Sequence, residues 1–243
     1  MSPSPSAPAH SGFFVTGTDT GVGKTLFSAA LLRALGDLGV RAVGMKPVAA
    51  GAELKDGVWV NEDVALLQAA SGVAAPAELV NPYLFREAIA PHVAADRKGV
   101  VIEIPRIAAA FDELAGLADV VVVEGVGGFR VPLGPDRDTA DLAVRLGLPL
   151  ILVVGMRLGC LGHALLTAEA IAVRGLKLAG WVANRIDPDM GAYDENLAAL
   201  TRRLPSPLLA ELPFAAPPDV RRFARLIPPQ KLSAMLGYIS KHE

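Results

Sequence analysis

The chain is 243 residues long, 52% hydrophobic and 20% charged, with 23 Lys+Arg against 25 Asp+Glu and a single cysteine, Cys160. That composition excludes disorder over most of the length, and a formal net charge of −2 gives no reason to expect nucleic acid or an anionic membrane as partner. One cysteine makes neither an internal disulfide nor a structural zinc site, so small-molecule partners and a reducing, cytoplasmic compartment are expected.

Positions 1–12 are mostly Ser, Pro and Ala, without the basic and apolar regions of a signal peptide, and read as a disordered tail. The remainder, 13–243, reads as a single domain. Phe13-Phe14-Val15-Thr16 is a short apolar strand, and Leu26–Leu38 is a helix with Leu31, Leu32, Leu35 and Leu38 at helical spacing. The alternation continues with a strand at Ala42–Pro47, a helix at Ile104–Leu117, a strand at Asp119–Glu124, a helix at Thr139–Leu146 and a strand at Leu148–Val154. A helix at Leu161–Arg174, a strand at Leu176–Asn184, a helix at Tyr193–Leu204 and a short strand at Leu208–Leu212 complete it. Between them, Ala49–Lys98 is the least regular stretch, with a helical pattern at Glu62–Ala70, and is expected to run over the top edge of the sheet. The strands are unbroken Val/Ile/Leu runs, as in a mostly parallel, doubly wound α/β sheet covered by helices on both faces. The longest apolar runs fall far short of the ~18 residues that a membrane-spanning helix needs. Ligands of such sheets bind beyond the carboxyl ends of the strands, so the residues there carry the functional question.

Gly17-Thr18-Asp19-Thr20-Gly21-Val22-Gly23-Lys24-Thr25 follows the first strand and opens the first helix. A phosphate chain needs converging backbone N–H groups, glycines that let them approach, a lysine for the outer phosphates and a hydroxyl for magnesium. Gly21, Gly23, Lys24 and Thr25 supply these, in a variant of the phosphate loop whose first glycine, Gly17, stands one residue early. Glu124 ends a strand at the carboxyl edge and precedes Gly125-Val126-Gly127-Gly128, which suits a carboxylate beside phosphate-bound magnesium and a second loop approaching the γ-phosphate. Lys46, at the end of the second strand, is placed to neutralise charge on a transferring phosphoryl group. Asp63 is a metal-ligand candidate, although a first-turn acid also suits the helix dipole. Asn184 either reads a purine edge or caps a turn. Cys160 reads as a small buried residue in a loop whose backbone N–H groups, at a helix start, suit a carboxylate. His92 and His163 read as structural.

Together these residues resemble the dethiobiotin synthetases, ATP-dependent carboxylases that close the ureido ring in biotin synthesis. The resemblance runs from Phe13 to about Phe214. It is carried by Phe-Val-Thr-Gly-Thr-Asp-Thr-Gly-Val-Gly-Lys-Thr (14–25), Lys-Pro-Val (46–48), Val-Asn-Pro-Tyr (80–83) and Ala-Pro-His (90–92). Val-Glu-Gly-Val-Gly-Gly (123–128), Leu-Gly-Cys-Leu-Gly-His (158–163), Leu-Ala-Gly-Trp-Val-Ala-Asn (178–184) and Glu-Leu-Pro (211–213) extend it. It implies a P-loop NTPase-like fold and a reaction in which 7,8-diaminopelargonic acid takes up CO2 as a carbamate. The carbamate then attacks the γ-phosphate of MgATP, and the second amine closes the ring with loss of phosphate.

By the same resemblance, Thr20, Lys24 and Lys46 carry the catalysis. ATP is held by Gly21, Val22, Gly23, Lys24, Thr25 and Leu26, by Gly125, Val126 and Gly127, and at the base by Asn184, Arg185, Leu212, Pro213 and Phe214. Thr25, Asp63 and Glu124 take magnesium. The substrate side is Thr20, Lys46, Ala50 and Gly127, with Leu158, Gly159, Cys160, Leu161 and Gly162 lent by the neighbouring subunit of a homodimer to grip a carboxylate. Ala50, Gly162 and Gly21 depart from the family pattern, which often has a hydroxyl, an asparagine and an acid at these positions. Thr139 and Asn196 are the candidate replacements for the missing polar groups. Two other readings compete: a cobyrinic acid amidase-like ligase, which would need a glutamine-hydrolysing domain, and a partitioning-type nucleotide switch, which would need a basic amphipathic tail.

Overall fold

The computed structural model describes residues 12–240; the expected tail lies outside the described residues except for Gly12, which already belongs to the first strand. β1 (Gly12–Gly17) leads through the glycine-rich loop into α1 (Lys24–Asp37), and β2 (Ala42–Met45) follows. The stretch expected to be irregular contains β3 (Val48–Ala50), the hairpin β4 (Glu53–Lys55) and β5 (Val58–Val60), α2 (Glu62–Ala70), α3 (Ala77–Val80), β6 (Tyr83–Phe85) and α4 (Pro91–Lys98). The alternation resumes with α5 (Ile104–Leu117), β7 (Val120–Glu124), α6 (Thr139–Leu146), β8 (Leu150–Met156) and α7 (Cys160–Val173). β9 (Leu178–Arg185), α8 (Tyr193–Arg203), β10 (Leu208–Leu212), α9 (Val220–Ala224) and α10 (Pro229–Ser240) complete it.

The main sheet has six strands in the order β10-β9-β8-β1-β7-β2, and every pairing is parallel. Alternate strand residues feed opposite cores, because successive side chains leave a strand on opposite faces. Phe13, Val15, Val120, Val122, Ile151 and Val153 pack with Leu31 and Leu35 of α1. Phe14, Val121, Val123 and Leu150 pack with Ile107, Phe111 and Leu114 of α5. Leu152, Val154 and Trp181 pack with Ala164 of α7 and Leu200 of α8. Helices on both faces satisfy both sides of the unbroken apolar strands, and the architecture is the expected P-loop NTPase-like one.

Two strand boundaries moved for a local reason. Pro149 has no N–H for a ladder, so β8 begins at Leu150. β2 stops at Met45 because the Lys46 N–H donates to the Val80 carbonyl (2.8 Å) and Pro47 has no donor. Among the described residues after β10, Phe223, Ala224, Ile227, Leu232 and Met235 are buried in the core that α1 shares, and so present no free amphipathic face of the kind expected of a partitioning-type switch. No helix among the described residues is long and apolar enough to cross a membrane.

Candidate active site

Strand register brings the charged groups together. Val15 of β1 pairs with Glu124 of β7, and Met45 of β2 pairs with Val123, so Lys46 leaves its strand level with Glu124 while the phosphate loop starts two residues beyond Val15. Glu124 has no solvent exposure and Lys46 is 3% exposed. The Lys46 Nζ donates to Glu124 Oε1 at 2.5 Å and to Asp63 Oδ2 at 2.9 Å, and the Thr25 hydroxyl donates to the same Glu124 oxygen at 2.7 Å. Asp63 reaches the group from the start of α2, whose N-cap is the Asn61 side chain accepting from the Val64 N–H. The Asn61 amide also donates to the carbonyls of Ala50 and Gly51, tying α2 to the end of β3.

The phosphate loop is drawn tight around its own side chains. A Cβ on Gly17 would come within 2.7 Å of Val22 and 3.1 Å of the Lys24 stem, which accounts for the glycine standing one residue early. Gly23 has φ +89° and a Cβ there would lie 2.1 Å from Asn184 Nδ2. That amide donates to the Val22 carbonyl at 2.9 Å. The Lys24 Nζ donates to the Asp19 carbonyl at 2.8 Å, across the loop. Asp19 and Arg157 are functional candidates that sequence reasoning missed: Asp19 accepts from the Thr20 N–H at 2.7 Å and from the Arg157 guanidinium at 2.6 Å, 138 positions away. A charge-bearing residue inside the glycine loop was the one available signal for Asp19; nothing local marks Arg157 as its partner.

Burial pushes Lys24 down, the Lys46 charge pushes it further, and its pKa stands at about 8. Burial acts on Lys46 in the same direction, but Glu124 and Asp63 outweigh it and hold this ammonium above the ordinary lysine range. Asp63 is the converse: burial favours its neutral form, and Lys46 prevails and holds it below the usual carboxylate range. Glu124 Oε2 is buried without a hydrogen-bond partner. No cluster of three or more His, Cys, Asp or Glu side chains able to hold a metal occurs among the described residues. One orphaned carboxylate oxygen, a second carboxylate and a hydroxyl nevertheless fit magnesium, which takes few protein ligands and completes its shell with waters and phosphates.

The remaining expected positions divide. Gly125 is buried at the end of β7, and Gly127 comes close enough to the phosphate loop that a Cβ on it would lie 3.4 Å from the Thr20 hydroxyl oxygen. Asn184 and Leu212 are buried, Arg185 and Pro213 are half-buried, and Phe214 is exposed. Leu158 is 94% exposed, whereas Cys160 is buried among α7 and α8 residues, in keeping with a structural thiol. The Cys160 N–H is already used by the Arg157 carbonyl, which leaves Leu161 and Gly162 to present the first-turn amides of α7. The two candidate replacements for the missing polar groups differ in how far they are engaged. The buried Thr139 hydroxyl donates to the Phe129 carbonyl and accepts from the Val131 N–H, and Asn196 donates to the Ala192 carbonyl within its own helix turn.

With this geometry in place, likeness to known proteins separates fold from family. A family model described as an AAA domain matches residues 11–219. The chain is 59% identical over 212 residues to the ATP-dependent dethiobiotin synthetase of Aromatoleum aromaticum, covering 87% of this chain and 94% of that one. The chain belongs to the dethiobiotin synthetase family. Among solved structures it is similar to the septum site-determining protein MinD complexed with Mg-ADP from Pyrococcus horikoshii, with a TM-score of 0.53, 17% identity and 96% of each chain covered. It is also similar to a ParA family ATPase from Chlorobium tepidum, with a TM-score of 0.54, 15% identity, and 95% and 98% of the two chains covered. At such identities the likeness shows a fold shared with this dethiobiotin synthetase family member.

Gly23→Ala is expected to displace Asn184 from Val22 and weaken MgADP binding at least about tenfold by calorimetry, with the protein still folded, because backbone and amide would have to move. Phosphate binding needs Lys24 charged, so MgADP affinity should fall about tenfold between pH 7 and pH 9, as the lysine loses its proton around pH 8. Lys24→Met should bind weakly at both values and flatten the profile. An unchanged profile in that variant would assign the pH dependence to another group.

Proposed function

We propose that this protein is an ATP-dependent dethiobiotin synthetase, a ligase of biotin biosynthesis acting on 7,8-diaminopelargonic acid and CO2. The observation that carries this reading is the 59% identity across nearly the whole of a curated enzyme of that activity. The geometry supports the chemistry it requires: two lysines, a hydroxyl and two carboxylates converge beside a phosphate loop. No side chain is needed as nucleophile, since phosphoryl transfer is mainly positioning and charge stabilisation.

The reaction balances in three steps. An amine nitrogen of the substrate bonds to the carbon of CO2 and loses a proton, giving a carbamate. A carbamate oxygen attacks the γ-phosphorus while the bond to the bridging oxygen of ADP breaks, giving a carbamic–phosphoric mixed anhydride. The second amine then attacks the carbonyl carbon and gives up a proton, phosphate leaves and the ring closes. Lys24 holds the outer phosphates and Lys46 meets the charge that collects between carbamate and γ-phosphate, while Thr20 orients the carbamate from the loop facing Gly127. Magnesium, when bound, would be held by Thr25, Asp63 and Glu124 and would neutralise phosphate charge. Asn184, Arg185, Leu212, Pro213 and Phe214 would surround the adenine.

The carboxylate of the substrate would meet the first-turn amides of α7 from a second subunit. In support, Leu166 and Val173, seven positions apart on one face of α7, are 66% and 79% exposed, and Leu158 just before the helix is 94% exposed, apolar surface of the kind that a second copy of the chain covers. Ala50 offers no hydroxyl on the substrate side, so backbone groups would bear more of the substrate binding there. The same reading takes 13–243 as one catalytic domain in the cytoplasm.

With ATP, magnesium and bicarbonate, the purified protein should release ADP only when the diamine is added, and dethiobiotin should appear in step with it; ADP release indifferent to the diamine would sink the assignment. Leu158→Asp should give monomers in light scattering and lose most turnover. A monomer with full activity would remove the shared site.

A further inference from the structure

We propose that Lys46 is a place-holder for the divalent cation: in the nucleotide-free protein its ammonium group fills the position between Glu124 and Asp63, and it leaves only when nucleotide phosphates arrive to receive it. The inference rests on the reading of Thr25, Asp63 and Glu124 as the magnesium ligands, and it adds a coupling between metal, nucleotide and lysine that this reading alone does not contain.

The geometry is specific. The Nζ of Lys46 lies 2.5 Å from Glu124 Oε1 and 2.9 Å from Asp63 Oδ2, and its side chain is 4% exposed. It therefore occupies the space between the two carboxylates that a cation bridging them would need. The fit is incomplete, because Glu124 Oε1 receives both the ammonium and the Thr25 hydroxyl, whereas Oε2 is buried with no partner. A divalent ion with its waters can satisfy both oxygens, so the exchange relieves an unsatisfied carboxylate.

Charge sets the order of events. Lys24 and Lys46 together balance Glu124 and Asp63, so a divalent ion arriving alone would add two positive charges to a neutral cluster and force a buried ammonium off its only anions. Metal arriving with a nucleotide brings a net negative charge. The displaced ammonium then has the γ-phosphate to pair with, beside the phosphate loop where the carbamate reacts. The same displacement that admits the metal delivers Lys46 to the reacting phosphoryl group, and an empty site keeps the lysine parked. Metal and nucleotide binding are thereby coupled, each favouring the other by the same factor.

The test measures cation binding without diamine or turnover. Free Mn2+ followed by electron paramagnetic resonance should show weak binding to the nucleotide-free wild type, and binding to Lys46→Met about tenfold tighter or better, lost again when Glu124→Gln is added. Equal Mn2+ affinity in wild type and Lys46→Met would overturn the proposal. Should Lys46→Met be too unstable alone, its melting temperature should rise with Mn2+ while that of the wild type does not; no rise in the variant also overturns it. In the wild type, the side-chain nitrogen resonance of Lys46 should be unmoved by Mg2+ alone and shift with the magnesium complex of a non-hydrolysable ATP analogue; movement with Mg2+ alone, or none with that complex, overturns the proposal. A failed diamine assay leaves all three readouts interpretable, and their failure leaves the diamine assay untouched.

Discussion

Glu124 ends β7 with no exposure to solvent, and a carboxyl group taken that far from water needs cations or donors held against it. Lys46 and the Thr25 hydroxyl supply them, and each comes from a different segment: the exit of β2 and the first turn of α1. Breaking one side of a buried pair of this kind typically costs about 3–5 kcal/mol, because the remaining charge is stranded. The ion pair therefore fixes the relative positions of β2, β7 and α1 at the edge where phosphates are expected. It also keeps two cations and two anions close together without offending the overall composition, whose formal net charge is only −2.

Around that contact the backbone does much of the positioning. Gly17 and Gly23 let the loop fold so closely on Val22, Lys24 and Asn184 that no larger residue fits without displacing a neighbour. Asn184 reaches the loop from β9 and Arg157 reaches it from beyond β8, so the carboxyl ends of two strands hold the loop that follows β1. The Arg157–Asp19 bond is partly exposed and adds little to stability. Its consequence is spatial: the segment from Leu158 onward starts beside the phosphate loop.

Likeness in fold and likeness in sequence point to different proteins here, and the difference has a physical basis. The septum site-determining protein and the ParA family ATPase share the fold, which alternation of strands and helices and buried apolar runs can specify without any particular site. What the family adds is a set of side chains at strand ends. The C-terminal region illustrates the distinction: its arginines are exposed on α9, but its apolar residues close over α1 instead of forming a separate face.

The strand–loop–helix periodicity, the phosphate loop and the acid-then-glycine end of β7 were legible from the chain alone, because each is a local pattern with a local cause. The short elements between β2 and α5 were not, since three-residue strands such as β3 and β6 are defined by pairing with each other across a long stretch of chain. Nor were α9 and α10, whose apolar residues find their partners in α1, nearly the whole chain away. The sequence by itself determined which chemistry-bearing residues stand at strand ends, including Lys46, Glu124 and Asn184. Only the tertiary structure decided that Lys46 sits on Glu124 and Asp63, that Asn184 holds Val22, that Thr139 is already committed and that Asp19 meets Arg157. Such pairings depend on register between distant strands, and register is settled by packing both faces of the sheet at once.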